Sequence, residues 1–278
     1  MAEVREALRL AAGRLAATSD TARLDAEVLM ANALGITRSD LLLRHMFDAE
    51  PTAFAALVER RLAHEPVAYI TGSQEFYGLD LRVSPAVLIP RGDSETLIEA
   101  ARAAFPGAGP ARVLDLGTGS GALLLAALTL WPAAQGVGID RSAEALAVAR
   151  GNAAKLGLGE RAELRQVDWT LPDWDAALGR FDLILANPPY IESDCALAPS
   201  VAAHEPHGAL FAGPDGLDDY RRLIPHLPGL LTRQGVAVVE IGWTQAEAVG
   251  ALAQTARLVS HLHRDLGNRP RALELRWL

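Results

Sequence analysis

A buried-strand pattern, Val113-Leu114-Asp115-Leu116, runs straight into Gly117-Thr118-Gly119-Ser120-Gly121 and then into an apolar helix pattern from Ala122. That order places free backbone N–H groups at a helix start and strips Cβ atoms from the turn, so a nucleoside-bearing ligand can approach the backbone closely. Asp140 ends the next strand pattern, where a carboxylate can accept from both hydroxyls of an adenosine ribose. Asp168 and Trp169, past the third strand, add an acceptor for an adenine amino group and an indole face for its ring. Gly117, Gly119 and Ala122 also satisfy the dinucleotide pattern G-x-G-x-x-G/A, so the glycines alone leave a nicotinamide cofactor open.

Asn187-Pro188-Pro189-Tyr190 follows another buried-strand pattern, Phe181-Asp182-Leu183-Ile184-Leu185-Ala186, and so falls at the carboxyl edge of a sheet, where open sheets bind ligands. Two prolines fix two φ angles and remove two N–H donors, leaving a stiff loop whose carbonyls have no neighbouring donor. Asn187 adds a side-chain carbonyl acceptor and Tyr190 a flat face, so the pocket suits a planar NH2 group. Such a nitrogen is a poor nucleophile, because its lone pair is delocalised by the resonance that flattens a peptide bond. Acceptors on both hydrogens would aim it at an electrophilic methyl and stabilise the positive charge that builds on nitrogen. The proton can leave after transfer, and no general base is required beforehand.

A sheet must bring these two strings together. Strand patterns at 112–116, 135–140, 162–167 and 181–186 alternate with helix patterns, which predicts an α/β fold with a mostly parallel, Rossmann-like sheet covered on both faces. A helix near 217–231, a strand at 236–241 and a helix at 244–256 follow, then closing strands near 258–266 and 272–277. The closing pair has no helix between its members, so the last strand is expected to be reversed. Upstream, apolar residues recur at three and four from Ala2 to about His64, which predicts a bundle of four short helices with starts at Ser19 or Asp20, Ser39 or Asp40, and Pro51. Glu75-Phe76-Tyr77 and Asp80-Leu81-Arg82-Val83 around Gly78 read as a hairpin, followed by Val87-Leu88-Ile89-Pro90, and residues 65–90 read as a linker.

Composition narrows the partners. With 278 residues, 50% hydrophobic and 22% charged, the chain can bury a large core. A net charge of −8 argues against a broad grip on a polyphosphate backbone, and no direct nucleic-acid binding is expected. The longest apolar run, Ala122 to Trp131 broken only by Thr129, is far shorter than the roughly 20 residues of a membrane span, so no membrane association is expected. Acidic Glu3 and Glu6 among Arg5, Arg9 and Arg14 fit neither a secretory signal nor a transit peptide, and a cytoplasmic location is expected. Cys195 is a lone thiol, and His204, Glu205 and His207 have no third partner at ligand spacing, so no metal is expected.

With both motifs in place, the chain resembles the S-adenosylmethionine-dependent protein-(glutamine-N5) methyltransferases that modify peptide chain release factors. The resemblance extends to Glu65-Pro66-Val67-Ala68-Tyr69-Ile70-Thr71-Gly72, Glu75-Phe76-Tyr77-Gly78, Val87-Leu88-Ile89-Pro90-Arg91, and Glu205-Pro206 followed by Gly213-Pro214-Asp215-Gly216-Leu217. It implies a helical substrate-recognition domain at 1–64, a hairpin linker at 65–90 and a methyltransferase domain at 91–278. It further implies that Gly117, Thr118, Gly119, Ser120, Gly121, Asp140, Trp169 and Asn187 hold S-adenosyl-L-methionine, the product being S-adenosyl-L-homocysteine. Asn187, Pro188, Pro189 and Tyr190 would meet the glutamine of the Gly-Gly-Gln loop of a class 1 release factor, with Asn187, Pro188 and Tyr190 catalytic. A ribosomal-protein glutamine or a nucleic-acid amino group are the rival acceptors. Where the family usually reads Arg-Pro-x-Thr-Glu, this chain has Arg91-Gly92-Asp93-Ser94-Glu95; Ser94 and Glu95 keep the makings of a helix cap and its box, and Glu95 is a secondary site candidate.

Overall fold

The computed structural model describes residues 3–278; Met1 and Ala2, with which the expected helical domain begins, lie outside the described residues. The chain divides into two compact units, one running to Ser73 and including Leu197–Glu205, the other comprising Gln74–Ala196 and Pro206–Leu278.

The first unit holds α1 (Val4–Leu15), α2 (Ala22–Leu34), α3 (Arg38–Arg44), α4 (Phe54–Leu62) and α5 (Val67–Thr71). The fifth helix falls in the stretch read as linker, where Pro66 presets the first turn and the left-handed Gly72 ends the helix. Leu8, Leu15, Leu29, Met30, Leu41 and Phe54 form its core. The cap of α3 is Thr37, not Ser39 or Asp40: its backbone is extended and its Oγ1 accepts from Asp40 N at 3.1 Å. Leu197–Glu205, a segment that follows the Pro-Pro loop in sequence, contributes the short helix Pro199–His204 to this unit, with His204 Nε2 3.3 Å from the Ala63 carbonyl.

Starting on Ser73, where the first unit's opening stretch ends, β1 (Ser73–Phe76) leads into the second unit and with β2 (Leu79–Arg82) forms the expected hairpin, turned by Tyr77 and Gly78 at φ of 50° and 78°. Val87-Leu88-Ile89-Pro90 forms no strand. A seven-stranded sheet follows: β3 (Arg112–Leu116), β4 (Gln135–Asp140), β5 (Ala162–Gln166), β6 (Phe181–Ala186), β7 (Leu231–Glu240), β8 (Leu258–Arg264) and β9 (Pro270–Trp277), in the order β5-β4-β3-β6-β7-β9-β8. Pairing is parallel from β5 through β7, while β9 runs antiparallel to both β7 and β8, so the last strand is reversed as expected.

Alternate side chains of the central strands feed two cores, because successive residues of a strand point to opposite faces. Val113, Leu183, Leu185, Val236 and Val238 pack with α6 (Glu95–Ala104) and α7 (Ala122–Leu130). Leu114, Ile184, Ala186, Ala237 and Val239 pack with the helices Asp218–Leu223 and Ala246–Thr255. From β3 the chain proceeds to β4 and β5, then returns to lay β6 on the other side of β3. The carboxyl ends of β3, β4 and β6 therefore meet at a topological switch point, the place in an open α/β sheet where a crevice forms.

One buried side chain ties this edge to the hairpin. Asn152, on α8 (Ala143–Lys155) and wholly buried, accepts from Arg82 N at 2.8 Å and donates to the carbonyls of Arg82 at 3.0 Å and Ser120 at 2.9 Å. Asn152→Ala leaves these backbone groups unpaired in a dry site. The expected cost is roughly 2–3 kcal/mol, seen as a lowered urea midpoint with an unchanged slope.

Candidate active site

A cavity of about 550 Å3 opens at the switch point, a size suited to a drug-sized ligand. Gly117, Thr118, Gly119, Ser120, Asp140, Asp168 and Trp169 line it on one side and Asn187 and Pro189 on another, so the two sequence motifs share one chamber.

The glycine turn is built as its composition demands. Gly117 and Gly119 take φ of 76° and 53°, a region that L side chains rarely adopt. A Cβ on Gly117 would stand 3.0 Å from the Trp169 ring, so glycine also lets the indole close on the turn. Gly121, at φ 85°, precedes α7 and lies behind the wall, where a Cβ would press on Leu125 at 3.0 Å; its part is to turn the backbone.

Asp140 Oδ2 accepts from Gly119 N at 3.0 Å and Oδ1 from Ser142 N at 2.9 Å. Each oxygen keeps a second lone pair for a ligand hydroxyl. The Trp169 indole N–H donates to Asp219 Oδ1 at 2.8 Å, which fixes the ring plane at the cavity wall. Asp168 Oδ1 accepts from Thr170 N and Oγ1 at 2.9 and 2.7 Å, and these bonds hold its carboxyl below the usual pKa.

Asp115 has a part that the strand pattern alone did not disclose. It is 1% exposed, lines the cavity, and accepts on Oδ2 from Thr118 Oγ1 at 2.6 Å, while no hydrogen bond of good geometry reaches Oδ1. Burial pushes its pKa up to about 7, against the smaller opposing pulls of the Thr118 hydroxyl and the Leu124 backbone N–H. A buried acceptor at a cavity wall without a well-aligned donor suits a cationic group of a ligand.

On the other wall, Asn187 begins where the ladder between β3 and β6 ends at Ala186. Among the described residues, no hydrogen bond reaches the carbonyls of Asn187, Pro188 or Pro189. Pro188 and Tyr190 do not line the cavity. Tyr190 turns its hydroxyl to Glu240 Oε1 at 3.4 Å, its carbonyl accepts from Gln245 Nε2 at 3.0 Å, and burial pushes its pKa to about 12.

The cap expected at Ser94 and Glu95 is absent. Ser94 has helical backbone angles and no capping bond; its hydroxyl accepts from Asn187 Nδ2 at 3.3 Å, and Glu95 Oε1 accepts from Tyr77 N at 3.0 Å. The reason is the 3-10 turn Gly92–Ser94, which feeds directly into α6 and leaves both side chains free to bridge to other elements.

A Rossmann-like sheet with a glycine turn and a Pro-Pro loop at its switch point is the arrangement of a methyltransferase. Residues 110–263 match the methyltransferase domain family, and the fold is similar to ribosomal protein L11 methylase from Lactobacillus delbrueckii subsp. bulgaricus, with a TM-score of 0.51 and 25% identity over 71% of this chain and 86% of that one. Residues 6–72 match the PrmC N-terminal domain. Proteins named release factor glutamine methyltransferase from Cereibacter sphaeroides and Bradyrhizobium diazoefficiens are 45% and 42% identical, over 98% of this chain in each case and 97% and 94% of theirs. The chain belongs to the release factor glutamine methyltransferase family, and it is an S-adenosylmethionine-dependent enzyme. Among the described residues, no helix is long and apolar enough to cross a membrane.

The state of Asp115 sets an expected pH dependence. Below about pH 7 its buried carboxyl is neutral, and above it charged, so a ligand carrying an ammonium group gains as pH rises. Calorimetric affinity for S-adenosylhomocysteine should rise roughly severalfold between pH 6 and 7.5. Asp115→Asn should flatten that slope; an unchanged slope in the variant would remove Asp115 from the ligand contact.

Proposed function

We propose that the protein transfers a methyl group from S-adenosyl-L-methionine to the side-chain amide nitrogen of the glutamine in the Gly-Gly-Gln motif of class 1 release factors, giving N5-methylglutamine and S-adenosyl-L-homocysteine. The observation that carries this reading is the meeting of Asn187 and a loop of unpaired carbonyls with the glycine turn in one chamber. Residues present fit the cofactor: Asp140 has spare acceptor capacity for ribose hydroxyls, Trp169 a fixed ring face, and Asp115 a buried Oδ1 for the ammonium group. When bound, S-adenosylmethionine supplies an electrophilic methyl, and its sulfur takes the electron pair as the S–C bond breaks.

The chain's own contribution is to hold and neutralise. Asn187 Oδ1 and a backbone carbonyl of the Asn187–Pro188–Pro189 run each accept one N–H of the glutamine amide, which leaves the nitrogen lone pair as the free direction. As the N–C bond forms, positive charge grows on nitrogen and both acceptors bind its hydrogens more tightly than before, so the gain falls in the transition state. One N–H proton then leaves to solvent. Prolines at 188 and 189 keep competing N–H donors out of this loop. The helical unit, with the added segment Leu197–Glu205, is the part assigned to gripping the release factor.

The test is incubation with S-adenosylmethionine and an unmodified class 1 release factor, with peptide mass spectrometry of the product. One added methyl on the Gly-Gly-Gln glutamine is expected. Asn187→Ala should lower turnover roughly a hundredfold while cofactor affinity changes little, the size expected for deleting one hydrogen bond strengthened in a transition state. A methyl on a ribosomal protein, with none on the factor, would move the substrate assignment.

A further inference from the structure

Glu240 is a carboxyl at the end of β7, directly after the buried apolar run 236–239, and the chemistry above does not use it. It is 1% exposed, and no hydrogen bond reaches its Oε2. Four groups face it. Ser94, at the start of α6, points its hydroxyl at the carboxyl; Tyr190 reaches Oε1 at 3.4 Å; Arg271 on β9 stands near as a cation; and Asp93 lies near as an opposing charge. The Tyr220 hydroxyl donates to the Glu240 backbone carbonyl at 2.8 Å, and burial, helped by the Glu240 charge, raises the pKa of this phenol. Arg271 is itself engaged by Asp93 Oδ2 at 3.0 Å and Asp265 Oδ2 at 3.2 Å.

A carboxylate can only accept, so an ionised Glu240 takes the Ser94 proton. Ser94 Oγ is then an acceptor for its other neighbour, Asn187 Nδ2, at 3.3 Å. The planar amide of Asn187 has one remaining end, Oδ1, and it is the end left for the chamber that Asn187 lines. We propose that Glu240, acting through the Ser94 hydroxyl, is a positioning residue that fixes the orientation of the Asn187 amide and so presents Oδ1 to the substrate amide. The inference rests on the amide-methylation reading for its catalytic consequence, but the orientation itself is a property of the chain.

Protonation reverses the chain of donors. A neutral Glu240 can donate to Ser94, whose own proton is then free to turn to Asn187 and favour the flipped amide, with Nδ2 toward the chamber. A flipped amide offers a donor where the substrate brings donors. Burial pushes the Glu240 pKa up to about 7, so both states are reached near neutrality. Acidification should therefore cost turnover through Asn187, with substrate binding affected less.

The experiment follows the Asn187 side-chain 15N resonance of the full chain from pH 5.5 to 8.5, assigned by its loss in Asn187→Ala, alongside kcat on a release factor over the same range. Wild type should show a step near pH 7 in the resonance and an acid limb in kcat. Ser94→Ala and Glu240→Gln should abolish the step and lower kcat roughly tenfold with a smaller change in KM, while Ser94→Thr, which keeps the hydroxyl, should restore both. A flat Asn187 resonance in wild type, or a step that survives Ser94→Ala, overturns the inference. An absent methyl on the release factor with the step present would instead overturn the substrate reading and leave the positioning role standing.

Discussion

Because β3 pairs with β4 on one side and with β6 on the other, the chain must leave the sheet in different directions from neighbouring strands, and it is there that backbone groups are left without ladder partners. On the β3 side the left-handed glycines turn the backbone before α7 and direct their own N–H groups inward, Gly117 to Ile139 O, Gly119 to Asp140 Oδ2 and Gly121 to Thr118 O. On the β6 side two prolines leave carbonyls exposed. One edge of one crevice thus carries a turn stripped of Cβ atoms and backed by Asp140 and Trp169, and beside it a loop of backbone acceptors for an amide.

Two buried carboxyls flank this crevice, each with an oxygen that no hydrogen bond of good geometry reaches: Asp115 Oδ1 on the cofactor wall and Glu240 Oε2 behind the Pro-Pro loop. Burial raises the pKa of both to about 7. In the free protein each ionises against its surroundings, so their folding contribution is fully present at acid pH and is lost as pH rises through their folded values. A core selected for stability alone would hold apolar residues at both positions. Asp115 instead faces a space where a ligand cation can sit, and Glu240 faces a hydroxyl that is one step from the amide acceptor.

The strand periodicity made the sheet legible, and residues that special backbone angles require made the site legible. Gly117, Gly119 and the two prolines announce unusual backbone, and Asp140 announces itself by ending a buried strand. Trp169 and Asn187 were legible by their place relative to strands. The local string at Ser94, Ser94-Glu95 before an apolar run, has the form of a helix cap; the 3-10 turn ahead of α6 removes the need for one. Glu240 carried a signal, an acid inside Val236-Ala237-Val238-Val239-Glu240-Ile241, but its partners come from α6, the Pro-Pro loop and β9, and no spacing rule links residues so distant in sequence. The segment Leu197–Glu205 was invisible as part of the helical unit for the same reason.

The central claim is that the Pro-Pro loop accepts both hydrogens of a substrate amide. A crystal structure with S-adenosylhomocysteine and a Gly-Gly-Gln peptide tests it most directly. The account predicts the glutamine nitrogen about 3 Å from Asn187 Oδ1 and from one loop carbonyl, with its free face toward the cofactor sulfur. A glutamine bound through its carbonyl to Asn187 Nδ2, or an amide nitrogen held away from the loop, would contradict it.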